Sequence, residues 1–396
     1  MPNPPKDGGC QVMHYTTLGL LANGVNVKTL AINPSRNLID VNVLSKEYIQ
    51  NVSFESVNVD TKIKPLKILL NLFKKESYFI ERFISDAFKD KITQILKKGN
   101  YEIIQLEHLY LCKYIDTIRK YSSAKIILRP QNVEYVIWER YLISNKNPVK
   151  KFVLKIATKR LKAFEQSINN KVDGIIALTK QDNELFLSFN KNVKSTIISM
   201  GFDYEKLCNY DFQKQVNSKP MFYHLASMDW LPNIEAVQWF IQNVIPIIEK
   251  NNTELKIIIA GRNMPKWVYK HKSNILEVID EVKAPLSFQE DKQIMIVPLW
   301  SGSGIRAKII EGLALGKVII STTIGAQGID YTHNENILIA DTPEDFYKQM
   351  IRCLKSEELR NKLTVNSRKL SIEKYNHLNT AKKMIEFYKE CLYEKN

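Results

Sequence analysis

One short stretch, residues 294–316, constrains the fold of this chain more than any other. Ile294 to Val297 are typical of a buried strand, a glycine-rich turn follows, and Ile305 to Leu315 are typical of a helix. The glycines of the turn lack a Cβ, so the backbone there can approach a ligand closely. A buried strand that leads through such a turn into a helix is part of a β-α-β unit, which predicts a parallel sheet covered by helices.

The same stretch also has the features of a phosphate-binding site. The start of a helix offers unpaired N–H groups and a partial positive charge. Arg306 and Lys308 add two cations, and Glu311 adds a carboxylate able to bind sugar or ribose hydroxyls, so the stretch suits a sugar nucleotide. The backbone contacts are expected from Gly302, Ser303, Gly304 and Ile305. The alternative is a solvated helix surface on which Lys308 and Glu311 form an ion pair.

Composition narrows the class of protein. A length of 396 residues predicts about two domains, and 44% apolar residues supply an ample core. The net charge of +15 favours polyanionic partners, but no interleaved aromatic and basic motif supports nucleic-acid binding, which we rank last. The five scattered cysteines favour a reducing cytosol. No apolar run approaches transmembrane length, so membrane contact is expected to be peripheral only.

Strand and helix signals alternate along both halves of the chain, which predicts two doubly wound, Rossmann-like domains of the α/β class. The predicted strands of the second half begin at Met221, Leu255, Ile275, Ile294, Val318 and Ile337. Those of the first half begin at Val27, Ile103, Lys125, Gly174 and Thr196. We predict an N-terminal domain over 1–202, a C-terminal domain over 203–375, and a helix over 376–396 that packs back on the first domain. A ligand cleft is expected between the domains.

These motifs, in this order, resemble the retaining glycosyltransferases of the two-domain GT-B architecture, in the large family 4 group. The resemblance covers nearly the whole chain. Its carriers in the first half are Pro4 to Gly9, Arg129 to Glu134, Trp138 to Arg140 and Thr179 to Asp182. Its carriers in the second half are Ser227 to Asn233, Ala260 to Arg262, the stretch around Gly302, and Gly325 to Ile329.

The resemblance implies a nucleotide-sugar donor, UDP- or GDP-linked, and a glycan or polyprenyl-diphosphate-linked acceptor, with no other cofactor and no metal. The residues also lack a cluster with convincing metal-ligand spacing. Arg306, Lys308 and the helix start would instead stabilise the leaving diphosphate. Glu311 matches the second glutamate of the family's paired-glutamate motif, but Ser303 stands where many members have the first. This departure argues against a mechanism with two carboxylates and favours contacts from the backbone.

On the acceptor side the resemblance points to the loop of Gly8 and Gly9, and to Glu134. Glu107 and His108 follow a predicted strand that ends at Leu106, so one of them should face the cleft. The alternative is that Gly8 and Gly9 form only a turn and that His108 is a packed or surface residue. Gln131 replaces a histidine that the family often has. In the second domain, Trp230 is expected near the donor base, whereas helix capping alone explains Asp229.

Two further features of the sequence concern a predicted helix and the N-terminal strand of the family. A predicted helix over Tyr78–Lys98 mixes aromatic residues with lysines, so it either lies on an anionic bilayer or is a core helix with a solvated basic face. The family normally begins with a buried central strand before the Pro-Pro-x-x-Gly-Gly loop, whereas this sequence begins almost in the loop. Losing that strand would leave neighbouring strand edges unpaired.

The sequence therefore predicts a cytoplasmic glycosyltransferase, at the inner face of the plasma membrane, that builds a cell-surface polysaccharide or glycolipid. Two rival hypotheses remain. A sugar-nucleotide epimerase of the same fold would form product without an acceptor. A non-catalytic nucleotide-binding subunit, suggested by Ser303 and Gln131, would bind nucleotide without turnover.

Overall fold

The computed structural model describes residues 1–5, 7–144, 147–207, 209–212, 214, 220–302 and 304–393. It divides into two compact units. The first unit comprises Met1–Gly201, Ser303–Ile305 and His377–Asn396, and the second comprises Phe202–Gly302 and Arg306–Asn376. Each has parallel strands covered by helices, which confirms the predicted α/β class. Within the described ranges, no helix is both long and apolar enough to span a membrane.

The second unit is built on a six-stranded parallel sheet. Its strands are β7 (Phe222–Leu225), β8 (Ile257–Ala260), β9 (Leu276–Ile279), β10 (Ile294–Val297), β11 (Val318–Ser321) and β12 (Leu338–Ile339), in the spatial order β12-β11-β10-β7-β8-β9. Its helices are α10 (Leu231–Trp239), α11 (Ile245–Lys250), α12 (Pro285–Glu290), α13 (Ala307–Ala314), α14 (Pro343–Lys355) and α15 (Glu357–Tyr375). The strands β7, β8, β10 and β11 are almost completely buried, as expected for a parallel sheet covered on both faces, whereas buried and half-buried residues alternate in the edge strand β9.

The parallel strands of the first unit form two separate sheets. One pairs β1 (Leu30–Pro34) with β2 (Glu55–Val59). The other has the order β3 (Ile103–Leu106), β4 (Lys125–Leu128), β5 (Gly174–Ala177) and β6 (Ser195–Ile197). Among the described strands, β1 pairs only with β2 and β3 only with β4. No strand was predicted for β2, because its side chains are mostly half-exposed and only two of its five residues, Val57 and Val59, are apolar.

The helices of the first unit are α1 (Gly8–Ala22), α2 (Lys46–Asn51), α3 (Pro65–Asn71), α4 (Tyr78–Glu81), α5 (Asp86–Lys98), α6 (Ile115–Tyr121), α7 (Glu134–Ser144), α8 (Pro148–Ile168), α9 (Lys180–Phe189) and α16 (His377–Tyr393). The predicted single helix over Tyr78–Lys98 is wrong. The chain breaks after α4, and the side chain of Ser85 caps α5 by accepting from the Phe88 N–H. The hydroxyl of Tyr114 holds the break by donating to the Phe83 carbonyl and accepting from the Ser85 N–H, both at 2.9 Å.

Helix α5 is a core helix and not a membrane-facing one, because Phe88 and Ile92 are buried against the sheet. The other half of the prediction, a solvated basic face, fits the lysines of its last turn, Lys97 and Lys98. The apolar and basic pattern of this helix is thus explained within the first unit.

The C-terminal helix α16 lies in the first unit and packs against α1. A Cβ on Gly19 would lie 2.4 Å from the carbonyl oxygen of His377, so only glycine allows the two helices to approach this closely. Together the helices cover one face of the four-stranded sheet. The buried residues of this layer are Leu20, Ile127, Ile176, Ile198, Ala381, Met384, Phe387, Tyr388 and Cys391.

Candidate functional site

The candidate donor site of the second unit lies where its parallel strands end. The segments after β7, β8, β10 and β11 all leave the sheet at its carboxyl edge, where ligands bind in doubly wound folds. Two of these segments approach each other closely after β7 and β8. Gly261 has φ +149°, and a Cβ there would lie 1.6 Å from the Ala226 carbonyl oxygen.

The turn after β10 requires glycine at two positions. Gly302 has φ +104° and Gly304 has φ +72°, a region that side-chain-bearing residues rarely adopt. A Cβ on Gly302 would also lie 2.9 Å from Nη2 of Arg306 and 2.9 Å from the ring of Trp230. The turn can therefore bring its backbone close to both side chains. Ser303, which was predicted to take part, lies outside the described residues.

Arg306 is the N-cap residue of α13 and not, as predicted, part of its first turn. Its side chain is buried, with only 4% exposed, and its guanidinium lies 5.2 Å from the centre of the Trp230 ring. Nη2 also donates to the carbonyl of Ser301 at 3.5 Å. These contacts fix a permanent positive charge beside the first amides of α13. Trp230, predicted to be near the donor base, contacts the predicted phosphate-binding residue Arg306.

Lys308 lies in the first turn of α13 and donates from Nζ to Oδ1 of Asn233 at 3.0 Å. Burial, reinforced by the charge of Arg306, lowers the pKa of Lys308 to about 7. Asn233 is buried, and its amide nitrogen donates to the Ser227 carbonyl at 2.7 Å. Sequence reasoning missed the contact of Asn233, although the residue lies in the motif Ser227 to Asn233.

Glu311, in the second turn of α13, is oriented by residues from two other elements. Its Oε1 accepts from Nε2 of Gln289 at 2.8 Å, and Oε1 of Gln289 accepts from the hydroxyl of buried Tyr223 at 2.8 Å. Lys206 lies close enough for its charge to interact with Glu311. The carboxylate is therefore held in one orientation on the helix.

Asp229 does not cap α10, contrary to the prediction, because Trp230 is the N-cap residue. Its carboxylate accepts from Nε of Arg262 at 3.1 Å and from Nδ2 of Asn263 at 2.7 Å. Burial opposes ionisation, but these contacts and the Ser227 hydroxyl hold the pKa of Asp229 below its usual value. Asp229 thus joins the segments that follow β7 and β8.

The turn after β11 is held against the segment after β10. The hydroxyl of buried Thr322 donates to the Leu299 carbonyl and accepts from the Gly325 N–H. A Cβ on Gly325 would lie 2.7 Å from the Val297 carbonyl oxygen, so a side chain there would force the two segments apart. This explains in packing terms why a glycine opens the Gly325 to Ile329 motif.

In the first unit, Gly8 and Gly9 are the first two residues of α1, whereas the sequence predicted that they lie in a loop. Asp7 caps this helix by accepting from the Cys10 N–H at 2.9 Å. The predicted glycines therefore present helix-start amides. The neighbouring Cys10 has its pKa raised to about 12 by burial and by Asp7.

Glu107 is the centre of a polar network that follows β3 and β4. Oε2 accepts from Nη1 of Arg129 at 3.3 Å and from Nε2 of Gln131 at 3.1 Å, and Oε1 accepts from Nε2 of Gln105 at 2.5 Å. Arg129 is completely buried, so Glu107 balances a charge that water cannot reach. Gln131, which stands in place of the family's histidine, takes part as a hydrogen-bond donor. The hydroxyl of Tyr388 on α16 donates to Gln105 at 2.5 Å.

His108 lies at one end of a stack of rings. Its imidazole is 5.0 Å from the ring of Tyr110, which is 4.0 Å from the ring of Phe83, and the guanidinium of Arg82 lies over Phe83 at 4.8 Å. Burial lowers the pKa of His108 to about 4, although the charge of Asp7 opposes the shift. The imidazole is therefore neutral at physiological pH.

Glu134 is the first residue of α7, and burial raises its pKa to about 7 while Arg82 opposes the shift. The start of this helix is capped from α8: the carboxylate of Glu165 accepts from the N–H groups of Glu134 and Tyr135 at 3.0 and 3.1 Å. Glu165 is itself fully buried, which raises its pKa to about 8. The charge of Glu134 also acts on Tyr110, so Glu134 belongs to the same neighbourhood as His108.

Among the described residues, no group of three or more His, Cys, Asp or Glu side chains is placed to hold a metal ion. The described cysteines, Cys10, Cys112, Cys353 and Cys391, are free thiols.

The fold is that of the GT-B glycosyltransferases. Sucrose-phosphate synthase from Thermosynechococcus elongatus superposes with a TM-score of 0.67 over 97% of this chain and 93% of its own, at 13% identity. A glycosyltransferase from Rickettsia africae gives 0.63 over 98% and 96%, at 15% identity. HepE from Anabaena, solved in complex with UDP-glucose, gives 0.62 over 96% of both chains, at 12% identity.

Sequence comparison adds a family match within the second unit and one related protein. Residues 219–356 match the family model described as "Glycosyl transferases group 1". The chain is also similar to an uncharacterised 44.6 kDa protein in the cps region of Klebsiella pneumoniae. The two are 23% identical over 309 residues, which span 71% of this chain and 76% of that protein. The segment that matches the family model, residues 219–356, contains Trp230, Arg306, Lys308 and Glu311.

Proposed function

We propose that this protein is a retaining glycosyltransferase that moves a sugar from a nucleotide-sugar donor to a glycan or lipid-linked acceptor in cell-surface polysaccharide synthesis. The observation that carries the proposal is the pair of cations, Arg306 and Lys308, at the start of α13 behind a turn that requires glycine. The family match over the second unit and the cps-region relative support the same function.

The donor diphosphate binds at this helix start in the proposed complex. Arg306 and Lys308 neutralise the two phosphates, and the backbone of Gly302, Gly304 and Ile305 lies close to them. Glu311, already oriented by Gln289, binds ribose or sugar hydroxyls. UDP and GDP are the nucleotides we expect, and the cations take the part that a divalent ion plays elsewhere.

The first unit supplies the acceptor side in this proposal, through Gly8, Gly9, Glu107, His108 and Glu134. His108, neutral because of its lowered pKa, is able to accept a hydrogen bond from an acceptor hydroxyl. An acceptor linked to a polyprenyl diphosphate places the enzyme at the inner face of the plasma membrane.

The transfer step follows from these roles. The anomeric carbon–oxygen bond to the diphosphate breaks, the acceptor oxygen bonds to the anomeric carbon on the same face, and the leaving phosphate takes the acceptor proton. Arg306 and Lys308 stabilise the charge that develops on the diphosphate, an effect worth about 10²–10³ in rate for a single donor of this kind.

The first experiment is a thermal-shift screen against UDP, GDP, ADP and CMP, with and without EDTA. A ligand that binds only the folded protein raises the melting temperature. We expect one nucleotide to give a shift that survives EDTA. That nucleotide then identifies the donor for assays with sugar nucleotides, in which NMR of the product determines whether the anomeric configuration is retained.

Site variants test the residue roles. Arg306→Ala and Glu311→Ala should each lower turnover by at least about 100-fold while the protein stays folded. Lys256→Ala is the matched control, because Lys256 is an exposed cation just before β8, at the opposite edge of the same sheet. Near-normal turnover in either site variant would show that the assigned roles are wrong. Product without acceptor would indicate an epimerase, and binding without turnover a non-catalytic subunit.

A further inference from the structure

The short helix α3 and the residues beside it turn an apolar stripe toward solvent. Leu66, Leu69, Leu70 and Phe73 have the i, i+3, i+4, i+7 spacing that usually faces a protein core. Here their exposed fractions are 68%, 56%, 55% and 88%. Four large apolar side chains side by side on a surface are uncommon in a monomeric protein and indicate a contact with something else.

The opposite side of the same segment is firmly held, so its exposure is not that of a loose loop. Arg160 on α8 donates to the carbonyls of Asn71 and Leu72 at 2.7 and 2.8 Å. The side chain of Asn71 is buried, and the Lys64 N–H donates to the hydroxyl of Tyr78 at 3.0 Å. These bonds fix which face of the segment points outward.

Charge accompanies the apolar stripe. Residues 62–75 contain five lysines and no acidic residue, and all five lysines are exposed. The lysines are Lys62, Lys64, Lys67, Lys74 and Lys75. Lysine is depleted in interfaces between proteins, whereas a helix that lies on an anionic bilayer has apolar residues on one face and lysines around them. The composition therefore favours a lipid surface over a protein partner.

Neighbouring parts of the first unit extend the same chemistry. A cavity of about 560 Å³ next to the segment is lined by the cations Lys75, Lys113, Lys159 and Arg160 and by a single carboxylate, that of Glu76. On α8, Phe152 is 64% exposed and lies four and eight residues before Ile156 and Arg160, on the side of that helix that contacts the segment.

We propose that residues 62–75 form a docking surface for an anionic phospholipid bilayer. Leu66, Leu69, Leu70 and Phe73 enter the interface between headgroups and acyl chains, and the surrounding lysines contact the headgroup phosphates. This surface belongs to the first unit and is distinct from the proposed donor site. The inference deepens the proposed function, since it brings the enzyme to a lipid-linked acceptor, but docking itself needs no transfer reaction.

The test is co-sedimentation of the full chain with vesicles. We expect binding to phosphatidylcholine vesicles that contain phosphatidylglycerol, at least tenfold weaker binding to pure phosphatidylcholine, and further weakening as salt rises. The double variant Leu69→Ser/Phe73→Ser and the variant Lys62→Glu/Lys67→Glu should each lower binding at least tenfold. The matched control is Val365→Ser/Ile372→Ser, which changes two exposed apolar residues of α15 in the second unit.

Three results would overturn the proposal: no binding of the wild-type chain to anionic vesicles, binding that the segment variants leave unchanged, or an equal loss in the control. A dimer of the wild-type chain that the segment variants dissociate, without lipid binding, would assign the surface to a second copy. The nucleotide thermal shift, measured on the same variants, separates this failure from failure of the proposed function. Docking variants should keep the shift, whereas Arg306→Ala should lose it.

Discussion

The pKa of Lys308 lies close to neutral pH, so a change in its surroundings can change its charge. Burial disfavours the charged ammonium group, and Arg306 repels a second positive charge, so the pKa falls to about 7. A diphosphate at the start of α13 reverses the second effect by placing negative charge beside the ammonium group. Nucleotide binding should therefore raise the pKa of Lys308 and be coupled to proton uptake.

The first prediction concerns pH and nucleotide affinity. Below pH 7 Lys308 is charged with or without nucleotide, but above pH 7 the free protein must take up a proton to bind. Affinity for the diphosphate should fall between pH 7 and 9, by at most about tenfold per unit. Calorimetric titration in buffers of different ionisation enthalpy measures the proton uptake directly.

The control variants for this prediction are Lys308→Met and Lys256→Met. Lys308→Met should bind weakly at every pH and lose the slope, whereas Lys256→Met should keep it. An unchanged slope in Lys308→Met would mean that another group takes up the proton. In the free protein, Lys308 binds a proton between pH 7 and 10.5 only in the unfolded chain, so it makes stability rise with pH there, and Lys308→Met should reduce that rise. Lys317, whose pKa burial lowers to about 6, adds a rise of the same sign that Lys308→Met should leave in place.

Single residues also show what the sequence could not predict about the site. The glycine turn, Arg306, Lys308 and Glu311 are contiguous, so their pattern was visible in the sequence. Their orienting partners, Asn233 and Gln289, lie 75 and 22 positions away from Lys308 and Glu311. Only the fold brings such pairs together, and an asparagine or a glutamine does not by itself indicate a role in a binding site.

At the scale of elements, the crossing of the segments after β7 and β8 gives the second prediction. Gly261→Ala forces a Cβ to within 1.6 Å of the Ala226 carbonyl, in a backbone conformation that alanine avoids. We expect a loss of more than about 3 kcal/mol in the free energy of unfolding, because backbone on both sides must move. Denaturant unfolding followed by fluorescence measures the loss.

Gly24→Ala is the matched control for this crossing. Gly24 also has positive φ, +80°, but nothing lies within 4 Å of the added Cβ. Only the backbone strain remains there, about 1–2 kcal/mol. Equal losses in the two variants would show that the crossing after β7 and β8 is not as tight as described.

The elements themselves were predictable where burial left a clear pattern. The strands β10 and β11 were predicted to the residue, because both faces of a central parallel strand are covered and the apolar run is continuous. Helix α15 was missed, because most of its own residues are polar and its sequence has no clear apolar stripe. The break between α4 and α5 was missed because Tyr114, which holds it, comes 29 residues after Ser85.

At the scale of the whole molecule, the first unit is completed by the last helix of the chain. Phe387 of α16 is buried among Ile127, Ile176 and Ile198 of the four-stranded sheet layer. The third prediction is that Phe387→Ala lowers the stability of the first unit by about 3–5 kcal/mol. Amide hydrogen exchange should accelerate in β3 to β6 and remain slow in β7 to β12.

Tyr393→Ala is the control for this variant, since it removes an aromatic ring from the same helix at a position that is 72% exposed. It should change the free energy of opening, measured by amide exchange, by no more than about 0.5 kcal/mol in β3 to β6 and in β7 to β12. Faster exchange throughout β7 to β12 in Phe387→Ala would contradict the prediction, because it would mean that the two units unfold as one.

The position of α16 has a consequence for the growing chain on the ribosome. The sheet layer that contains Ile127 and Ile176 emerges first, but the helix that covers it is synthesised only after the whole second unit. At translation speeds of about 5–20 residues per second, that delay is on the order of 10 to 40 s. For this time an apolar sheet face is open to other nascent chains. Expression at reduced temperature or with added chaperones should therefore raise the soluble yield of the full chain.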